Sequence, residues 1–370
     1  MQERRSIGEA SASDASSLAI SAGGLIYVSE LTSPHGEVRP GELQAAAETR
    51  RVLERLKTTL EAGASSLAQT VSVSVYLKNP SDFEAMNGAY REVFSDRPPA
   101  RTTIGADLPD GALVGMSAVA LPAGAPRETL LPSNWMKSPR PYSYIVRAGD
   151  LVFLSGLLSR RGTDDQVVSG PVGLQVRTIL DNATTLLKTA GLTLDQVVAA
   201  RVFITDDLYF DDMNNEYRKY FRSDPPARAT VVSPLMGPDA KVEITLVAST
   251  AERRAIGPAV SPTVPVSSAI RAGNRLFLSG VVGNTSSNMD NPGAQARETL
   301  TRIGRTLEAA GLSFADVVDS TVYVTDLWRS KEVNDVYHEF FPSTPPARTL
   351  VGARIIARSA LVEMMMVAVK

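Results

Sequence analysis

Three arginines follow the same short motif, Pro-Pro-Ala, and are the leading candidates in this sequence for binding a ligand. They are Arg101, Arg228 and Arg348, spaced 127 and 120 residues apart. Each is placed at the start of an expected strand by a rigid proline pair, and an arginine held in this way can bind a carboxylate through two parallel hydrogen bonds. The alternative is a structural arginine that ties its strand to a neighbouring carboxylate or carbonyl group, and residue type alone favours that interpretation.

Two glutamates stand inside apolar strand segments further along the chain. Glu243 lies in a Val-Glu-Ile run and Glu363 in a Val-Glu-Met run. Burying a carboxylate is unfavourable unless the group is paired or functional. Beside an arginine it either forms an ion pair or holds a water molecule and transfers protons. The equivalent position in the first third of the chain is Gly115, which has no carboxylate.

The remaining residue types exclude several chemistries. The sequence has no cysteine, which removes disulfides, thiolate catalysis and zinc–cysteine sites. His35 and His338 have no partner at metal-ligand spacing, so we expect no metal site at either residue. A net charge of −2 and a pI of about 5.9 argue against nucleic acid, and Trp135 and Trp328 are each expected to stand alone, without forming a stacking platform. No apolar run approaches the roughly 20 residues that span a bilayer.

The arginine motif belongs to a longer repeat. Upstream of each arginine, an asparagine is followed three residues later by a tyrosine in a helix-like segment. These asparagines, Asn87, Asn214 and Asn334, keep the spacing of 127 and 120 residues. Such self-similarity indicates tandem domains. We expect three of them, called repeats 1, 2 and 3, over residues 1–122, 123–250 and 251–370.

Within each repeat the order of signals predicts a ββαβαββ pattern, an α+β domain with helices on one sheet face. A hairpin comes first, and an amphipathic helix follows. In repeat 2 the apolar face of this helix is expected to be Val176, Ile179, Leu180, Ala183, Leu187 and Ala190. Glycines 63, 191 and 311 are expected just past the three long helices. Proline-rich joins near residues 121–139 and 255–265 predict stiff surface connectors, and a hexamer at 3–8 that recurs at 252–257 suggests a short opening strand.

Taken together, these motifs make each repeat resemble the Rid family, the reactive intermediate deaminases, which are also called YjgF-like proteins. Repeat 2 carries the full set. Its members are Tyr142, the turn Arg147-Ala148-Gly149, Ser155-Gly156, Asn214, Pro226-Ala227-Arg228 and Glu243. Repeat 3 carries Ser279-Gly280, Asn334, Pro346-Ala347-Arg348 and Glu363.

The resemblance implies a chorismate-mutase-like fold assembled as a trimer, with sheets inside, helices outside and ligand clefts between neighbours. Here it implies an intramolecular pseudo-trimer that could remain a monomer as a chain. It also implies hydrolysis of enamines or imines derived from amino acids to 2-oxo acids and ammonia, without metal or cofactor. In this family-based interpretation the arginine binds the substrate carboxylate and the glutamate positions water. The residues implied to shape the pockets are Tyr142, Gly156, Asn214, Gly280, Asn334, Asn87 and Arg101.

The repeats diverge from the family pattern to different degrees. Repeat 1 has Glu30 in place of the Ser-Gly glycine, Ser16 near the tyrosine position and Gly115 for the glutamate, and repeat 3 has Val266 for the tyrosine. We therefore expect one competent cleft built mainly from repeat 2, in which its own arginine and glutamate meet. A second cleft would use Arg348 and Glu363 of repeat 3, and a degenerate one would use repeat 1. The neighbour that completes each cleft is left open.

Other functions remain open at this stage. A non-catalytic protein of the same fold that binds a small carboxylate fits the degenerate motifs. A ribonuclease is disfavoured by the acidic pI and the lack of paired histidines, and a ring-opening amidohydrolase by the lack of repeated Ser–Lys pairs. We expect an imino or oxo acid as the partner, with neither nucleic acid nor membrane. The expected compartment is the cytoplasm, or the periplasm or exterior if a leader has been removed.

Overall fold

A computed structural model describes residues 4–11, 15–33, 35–259 and 263–370. Repeat 1 contains β1 (Arg5–Ser11), β2 (Ser16–Ala22), β3 (Leu25–Thr32), α1 (Gln44–Ala62), β4 (Thr70–Leu77), α2 (Phe83–Val93), β5 (Ala100–Gly105) and β6 (Val114–Ala120). Repeat 2 contains β7 (Arg127–Leu130), β8 (Ile145–Ala148), β9 (Leu151–Leu154), α3 (Val172–Thr189), β10 (Val197–Ile204), α4 (Phe210–Tyr217), β11 (Ala227–Val232) and β12 (Val242–Ser249). Repeat 3 contains β13 (Arg253–Ala259), β14 (Ser267–Ala272), β15 (Arg275–Leu278), β16 (Val281–Val282), α5 (Pro292–Ala309), β17 (Val317–Val324), α6 (Ser330–Phe340), β18 (Ala347–Gly352), β19 (Arg354–Ile355) and β20 (Val362–Val369).

The three repeats share one sheet topology. In repeat 1 the strand order is β1-β2-β3-β6-β4-β5, and repeats 2 and 3 follow the same order with β7-β8-β9-β12-β10-β11 and β13-β14-β15-β20-β17-β18. The last two strands of this order run parallel to one another because a helix connects them, whereas the other neighbours are antiparallel. The predicted ββαβαββ pattern is confirmed, and each repeat adds one opening strand before it.

Each sheet is covered on its outer face by two helices. The buried side of α3 includes the predicted residues Val176, Ile179, Leu180, Ala183 and Leu187, all fully buried, and the predicted Ala190 is buried just after the helix ends. Helices α1 and α5 bury equivalent stripes in their own clusters. Among the described residues no helix is both long and apolar enough to cross a membrane.

The inner faces of the three sheets form one shared core. Aromatic and large apolar side chains from every repeat meet in it. They include Tyr27 and Tyr76 of repeat 1, Phe153 and Phe203 of repeat 2, and Phe277, Tyr323 and Met365 of repeat 3. The molecule is therefore an intramolecular pseudo-trimer with sheets inside and helices outside, as the resemblance implied.

An equivalent hydrogen bond at each of the three interfaces connects the repeats in a closed ring. The backbone N–H of each Pro-Pro-Ala arginine donates to the serine hydroxyl of the next repeat. These bonds join Arg101 to Ser155 (2.9 Å), Arg228 to Ser279 (2.9 Å) and Arg348 to Ser29 (2.8 Å). Repeat 1 therefore precedes repeat 2, repeat 2 precedes repeat 3, and repeat 3 closes back on repeat 1.

A small cavity of about 70 Å³ lies at the centre of this ring. Three equivalent positions line it, occupied by Ser74, Arg201 and Thr321. The Arg201 Nη1 atom donates to Ser74 Oγ at 3.1 Å. Burial raises the pKa of the nearby Asp319 to about 6, and the charge of Arg201 opposes that rise. The centre of the molecule thus contains a guanidinium from repeat 2 and a carboxylate from repeat 3.

The proline-rich joins are more than connectors. Within the first of them, Arg127–Leu130 forms β7 and pairs with β8, which gives repeat 2 the opening strand that the recurring hexamer suggested for the other repeats. In the second join, Arg253–Ala259 forms β13 and pairs with β14. Glu3 and residues 260–262 of these segments lie outside the described part of the chain.

The three long helices end in the same turn, but the residue that adopts the left-handed conformation differs in repeat 1. Gly191 and Gly311 have φ values of 72° and 68°, as their position past the helix predicts. Gly63 has φ −86°, and the equivalent residue is Ala64, with φ 55°. The turn in repeat 1 therefore places a side chain where glycine is favoured.

We expect Ala64→Gly to stabilise the protein by about 1 kcal/mol, because it removes the unfavourable left-handed alanine and the methyl group is exposed. Urea unfolding measures the change. The matched control is Gly191→Ala, which should destabilise by a similar amount. If both substitutions changed the free energy of unfolding in the same direction, this account would be contradicted.

Candidate active sites between repeats

The Pro-Pro-Ala arginine of each repeat is buried over the second helix of that repeat. The proline pair ends the helical segment and starts a strand that runs parallel to its neighbour. The guanidinium then lies over the ring of the tyrosine in the Asn-x-x-Tyr motif. The distances to the ring centre are 5.0 Å for Arg101 and Tyr90, 4.8 Å for Arg228 and Tyr217, and 4.4 Å for Arg348 and Tyr337.

The asparagine of the same motif orients the guanidinium in two of the three repeats. Arg228 Nη2 donates to Asn214 Oδ1 at 2.7 Å, and Arg348 Nη1 donates to Asn334 Oδ1 at 2.8 Å. In repeat 1, both polar atoms of the Asn87 amide are buried without a hydrogen-bond partner among the described residues. The side chain of Arg101 keeps the contact to methionine, Met86 Sδ at 4.0 Å, that Arg228 also makes to Met213 Sδ. Among the described residues, the Arg101 guanidinium therefore lacks the hydrogen bond to asparagine that the other two have, although aromatic rings lie beside it.

The two predicted glutamates face the arginine of a neighbouring repeat. Glu243 is buried on β12, accepts a hydrogen bond from the backbone N–H of Thr103 and interacts electrostatically with Arg101. Glu363 accepts one from Thr230 and interacts with Arg228. We call these sites cleft 1, between repeats 1 and 2, and cleft 2, between repeats 2 and 3.

The expectation that Arg228 and Glu243 share one cleft is therefore wrong. The physical reason is the strand order: β11, which carries Arg228, and β12, which carries Glu243, lie on opposite sides of β10. Two strand spacings of about 4.8 Å separate them. A cleft forms only where the arginine strand of one repeat meets the hairpin and the glutamate strand of the next.

The Ser-Gly motif provides the space for each carboxylate. A Cβ atom built on Gly156 would lie 1.9 Å from Glu243 Oε1, and one built on Gly280 would lie 2.0 Å from Glu363 Oε1. The N–H of Gly156 donates to the carbonyl of Arg101 at 3.0 Å. Any larger residue at either glycine would therefore displace the carboxylate of the facing glutamate.

Cleft 1 opens into a cavity of about 60 Å³, enough for a few water-sized groups. The predicted residues that line it are Arg101 of repeat 1 and Tyr142, Gly156 and Glu243 of repeat 2. Asn87 lies beneath Arg101 in α2. Cleft 1 thus combines the tyrosine, glycine and glutamate motifs of repeat 2 with the arginine of repeat 1.

An aromatic wall of cleft 1 was not predicted. Trp135 stacks edge-on against Tyr144 (5.2 Å between ring centres), and Tyr144 against Tyr142 (5.4 Å). The view of Trp135 as an isolated residue in a connector is wrong, because the join folds back onto the repeat and lines the cavity. The only signal for it in the sequence is the local richness in aromatic residues.

Cleft 2 keeps the arginine, asparagine, glycine and glutamate but has the buried Val266 at the position of Tyr142. A third cleft lies between repeats 3 and 1. It contains Arg348 and Asn334, and the half-buried Glu30 provides a carboxylate there, with its Oε1 atom buried, even though position 115 is glycine. Repeat 1 therefore does supply a carboxylate to its interface with repeat 3.

All three carboxyl groups are shifted toward their protonated forms by burial. Burial raises the pKa of Glu243 to about 8 and that of Glu363 to about 7, while a backbone N–H and the facing arginine oppose the rise. Burial likewise raises the pKa of Glu30 to about 8. Groups with a pKa near neutrality can both accept and return a proton, as general acid–base catalysis requires.

The histidines are placed away from these clefts. His35 Nδ1 lies 2.6 Å from Oε1 of the buried Glu48, although the histidine side chain is itself exposed. His338 is on α6. Within the described ranges no three His, Cys, Asp or Glu side chains converge as a metal site would require.

Comparison with known proteins agrees with the fold and the repeats. A sequence model of the family described as Endoribonuclease L-PSP matches residues 8–121, 133–250 and 257–370. A RutC family protein of Sulfurisphaera tokodaii is 34% identical over 122 residues, covering 33% of this chain and 98% of that protein. The 3-aminoacrylate deaminase RutC of Acinetobacter baylyi is 32% identical over 123 residues, covering 33% and 98%.

Two further similarities are informative. The chloroplastic Reactive Intermediate Deaminase A of Arabidopsis thaliana is 35% identical over 109 residues, covering 30% of this chain and 58% of that protein. A crystal structure of a chorismatase aligns over 92% of this chain and 97% of its own length, with a TM-score of 0.55 and 13% identity. At that identity the likeness concerns the fold alone.

The raised pKa of Glu243 predicts a pH dependence of stability. The folded protein keeps this proton up to about pH 8, whereas the unfolded chain releases it near the ordinary value of about 4.3. The contribution is therefore fully present below about pH 4.3 and is lost as the pH rises toward 8. Glu243→Gln should make the fall in the free energy of unfolding between pH 5 and 8 shallower, as measured by urea unfolding. Glu61→Gln, on the exposed end of α1, should leave the slope unchanged; equal slopes in all three proteins would contradict the prediction.

Proposed function

The chain belongs to the Rid family, in three consecutive copies, and we propose that it hydrolyses reactive imines and enamines derived from amino acids to 2-oxo acids and ammonia. Relatives that match one repeat each are named as a 3-aminoacrylate deaminase and a reactive intermediate deaminase. The observation that supports the reaction most directly is the pairing of a buried arginine with a buried glutamate across cleft 1. Both face one cavity.

Arg101 binds the carboxylate of the substrate in this proposal. Its guanidinium is buried, and the carboxyl group that faces it, Glu243, has a pKa that burial raises to about 8, so that group is mostly uncharged at neutral pH. A buried cation without an anionic partner is unfavourable, so an anionic ligand relieves that cost as it binds. The planar guanidinium can hold both carboxylate oxygens, which fixes the orientation of the adjoining imine carbon.

Glu243 activates the attacking water. The substrate is already an electrophilic iminium, so orientation and one proton relay are sufficient. Glu243 accepts a proton as the water oxygen bonds to the imine carbon, and a carbinolamine forms. Glu243 then delivers this proton to the nitrogen, and the carbon–nitrogen bond breaks as the hydroxyl group gives up its proton to Glu243 and becomes the carbonyl. The departing ammonia takes up that proton from Glu243, so a 2-oxo acid and ammonium leave. An enamine enters the same route once its carbon has taken up a proton.

The surrounding residues position these two groups. Tyr142 lies with its ring 5.7 Å from the Arg101 guanidinium carbon and closes the cleft beside the substrate. The unpaired amide of Asn87 offers hydrogen bonds to the bound molecule or to water. In cleft 2, Arg228 and Glu363 have the same roles, with Asn214 and Gly280 as the supporting residues. Val266 leaves that cleft without the phenol, so the two clefts should differ in substrate preference.

The triple variant Arg101→Ala, Arg228→Ala and Arg348→Ala should lower ammonia release from a freshly generated 2-imino acid to the rate in buffer. Each substitution removes the carboxylate anchor of one cleft. The triple Arg→Lys variant retains the buried charge but not the two-pronged contact, and should recover part of the activity with a raised KM. Arg297→Ala, at an exposed ion pair with Glu339, is the control and should match the unmodified protein.

The outcomes separate an enzyme from a binding protein. If the unmodified protein does not accelerate hydrolysis beyond buffer, the proposal is wrong. Saturable binding of a 2-oxo acid without turnover, measured by calorimetry, would then support a non-catalytic carboxylate-binding protein of the same fold.

The contribution of Glu243 should rise with pH. Only the ionised carboxylate can accept a proton from water, and burial holds its pKa at about 8. The difference in kcat/KM between the unmodified protein and Glu243→Gln should therefore grow from pH 6 through 8 and level off only above about pH 9. A difference that is independent of pH over this range would assign Glu243 a structural role instead.

A further inference from the structure

The third cleft obtains its carboxylate by an exchange of residues between two neighbouring strands. In clefts 1 and 2, glycine follows the serine of the Ser-Gly motif and glutamate lies on the last strand. In repeat 1 both positions are reversed: Glu30 follows Ser29, and Gly115 lies on β6. Strands β3 and β6 are paired in this region, with Leu31 opposite Met116. The two substitutions therefore fall on adjacent sites of one sheet.

The exchange places the carboxylate where the other two clefts have it. Glu30 Oε2 accepts the backbone N–H of Leu350 at 3.1 Å. Leu350 is two residues after Arg348, just as the N–H donors to Glu243 and Glu363 are two residues after Arg101 and Arg228. A Cβ atom built on Gly115 would lie 2.6 Å from Glu30 Oε1. Gly115 thus makes room for Glu30, as Gly156 does for Glu243.

The electrostatic setting is also retained. Arg348 interacts with Glu30 and opposes the effect of burial, which raises the pKa of this carboxyl to about 8. Arg348 in turn lies over Tyr337 and bonds Asn334. The three clefts therefore share a backbone N–H, an arginine and a buried carboxyl group in the same relation.

The space around this pair differs from that in cleft 1. Ser16 stands where cleft 1 has Tyr142, and the described residues enclose about 710 Å³, against about 60 Å³ in cleft 1. The lining has four acidic residues for two basic ones. These are Glu30, Asp107, Asp110 and Asp326 with Lys78 and Arg348. Cleft 1 has the opposite balance, with Arg101, Arg140, Arg160 and Arg161 against Asp165 and Glu243.

We propose that Glu30 and Arg348 form a complete third hydrolytic site, and that this site takes imino acids with a long, positively charged side chain. This rests on the proposed deaminase function. Arg348 binds the carboxylate, and Glu30 takes the proton from water and returns it to the departing nitrogen. The larger volume accepts the side chain, and Asp107, Asp110 and Asp326 attract its cationic end.

The test uses the full chain with the other two carboxylates removed. The double variant Glu243→Gln, Glu363→Gln retains only Glu30, and it is assayed on two 2-imino acids that an amino-acid oxidase generates in place. One has a four-carbon side chain ending in an ammonium group, and the other has a methyl side chain. We expect the double variant to keep at least half of the kcat/KM of the unmodified protein on the ammonium substrate and to lose at least tenfold on the methyl substrate. Adding Glu30→Gln should abolish the remaining activity.

A positional swap separates catalysis from support of the fold. In the same double variant, Glu30→Gly should remove the activity, and adding Gly115→Glu should restore it, because the carboxylate then reaches the same site from β6. The side chain that must yield to the new Cβ is Leu108, at 2.9 Å, and its end is flexible. Gly115→Glu with Glu30 retained is the control for crowding, because the new side chain would then collide with the Glu30 carboxylate. If the swapped protein unfolds, the Glu30→Gln comparison still decides the matter.

Two failures are distinguishable. If the unmodified protein hydrolyses both imines but the double variant is inactive on both, the third site is wrong and the proposed function stands. If the unmodified protein hydrolyses neither, the proposed function is wrong and this inference falls with it. A double variant that prefers the methyl substrate overturns the assignment of substrate class.

Discussion

The meeting of a buried guanidinium from one repeat with a buried carboxyl group from the next is the interaction on which the structure depends. Neither partner has its counterpart within its own repeat, because the arginine and glutamate strands flank the strand between them. Each charge is costly to bury alone. The hydrogen bond from the arginine N–H to the serine of the next repeat therefore sets the register of the interface and the geometry of the site together. Any shift between two repeats would leave both buried polar groups without their partners.

Much of the fold could be predicted from the sequence, because it depends on local periodicity. The apolar stripe of α3 and the glycines after α3 and α5 follow from helix geometry alone. The pairing of Arg228 with Glu363 rather than Glu243 could not be predicted, since it depends on strand order and on which edges meet between domains. The exchange of Glu30 and Gly115 did leave a signal in the sequence. Two reciprocal departures from the repeat pattern, on strands expected to pair, indicate compensation more readily than decay.

Linking three copies in one chain has allowed each interface to change on its own. In a symmetric trimer a substitution enters every cleft at once. Here cleft 1 has an aromatic wall and an excess of arginine, cleft 2 has valine in place of the tyrosine, and the third cleft has an acidic, wider lining. The shared backbone contacts are kept in all three, whereas the side chains that would surround a substrate differ.

Arg201, in the central cavity, shows how far this independence extends. Its counterparts in the other repeats are Ser74 and Thr321, and Asp319 lies nearby. If the middle repeat were produced by itself and three copies assembled around a true threefold axis, three guanidinium groups would converge at the centre with Ala199 where repeat 3 has Asp319. Such a cluster of like charges is strongly unfavourable away from water. Two unlike neighbours, which place Ser74, Thr321 and Asp319 around a single guanidinium, avoid that cluster.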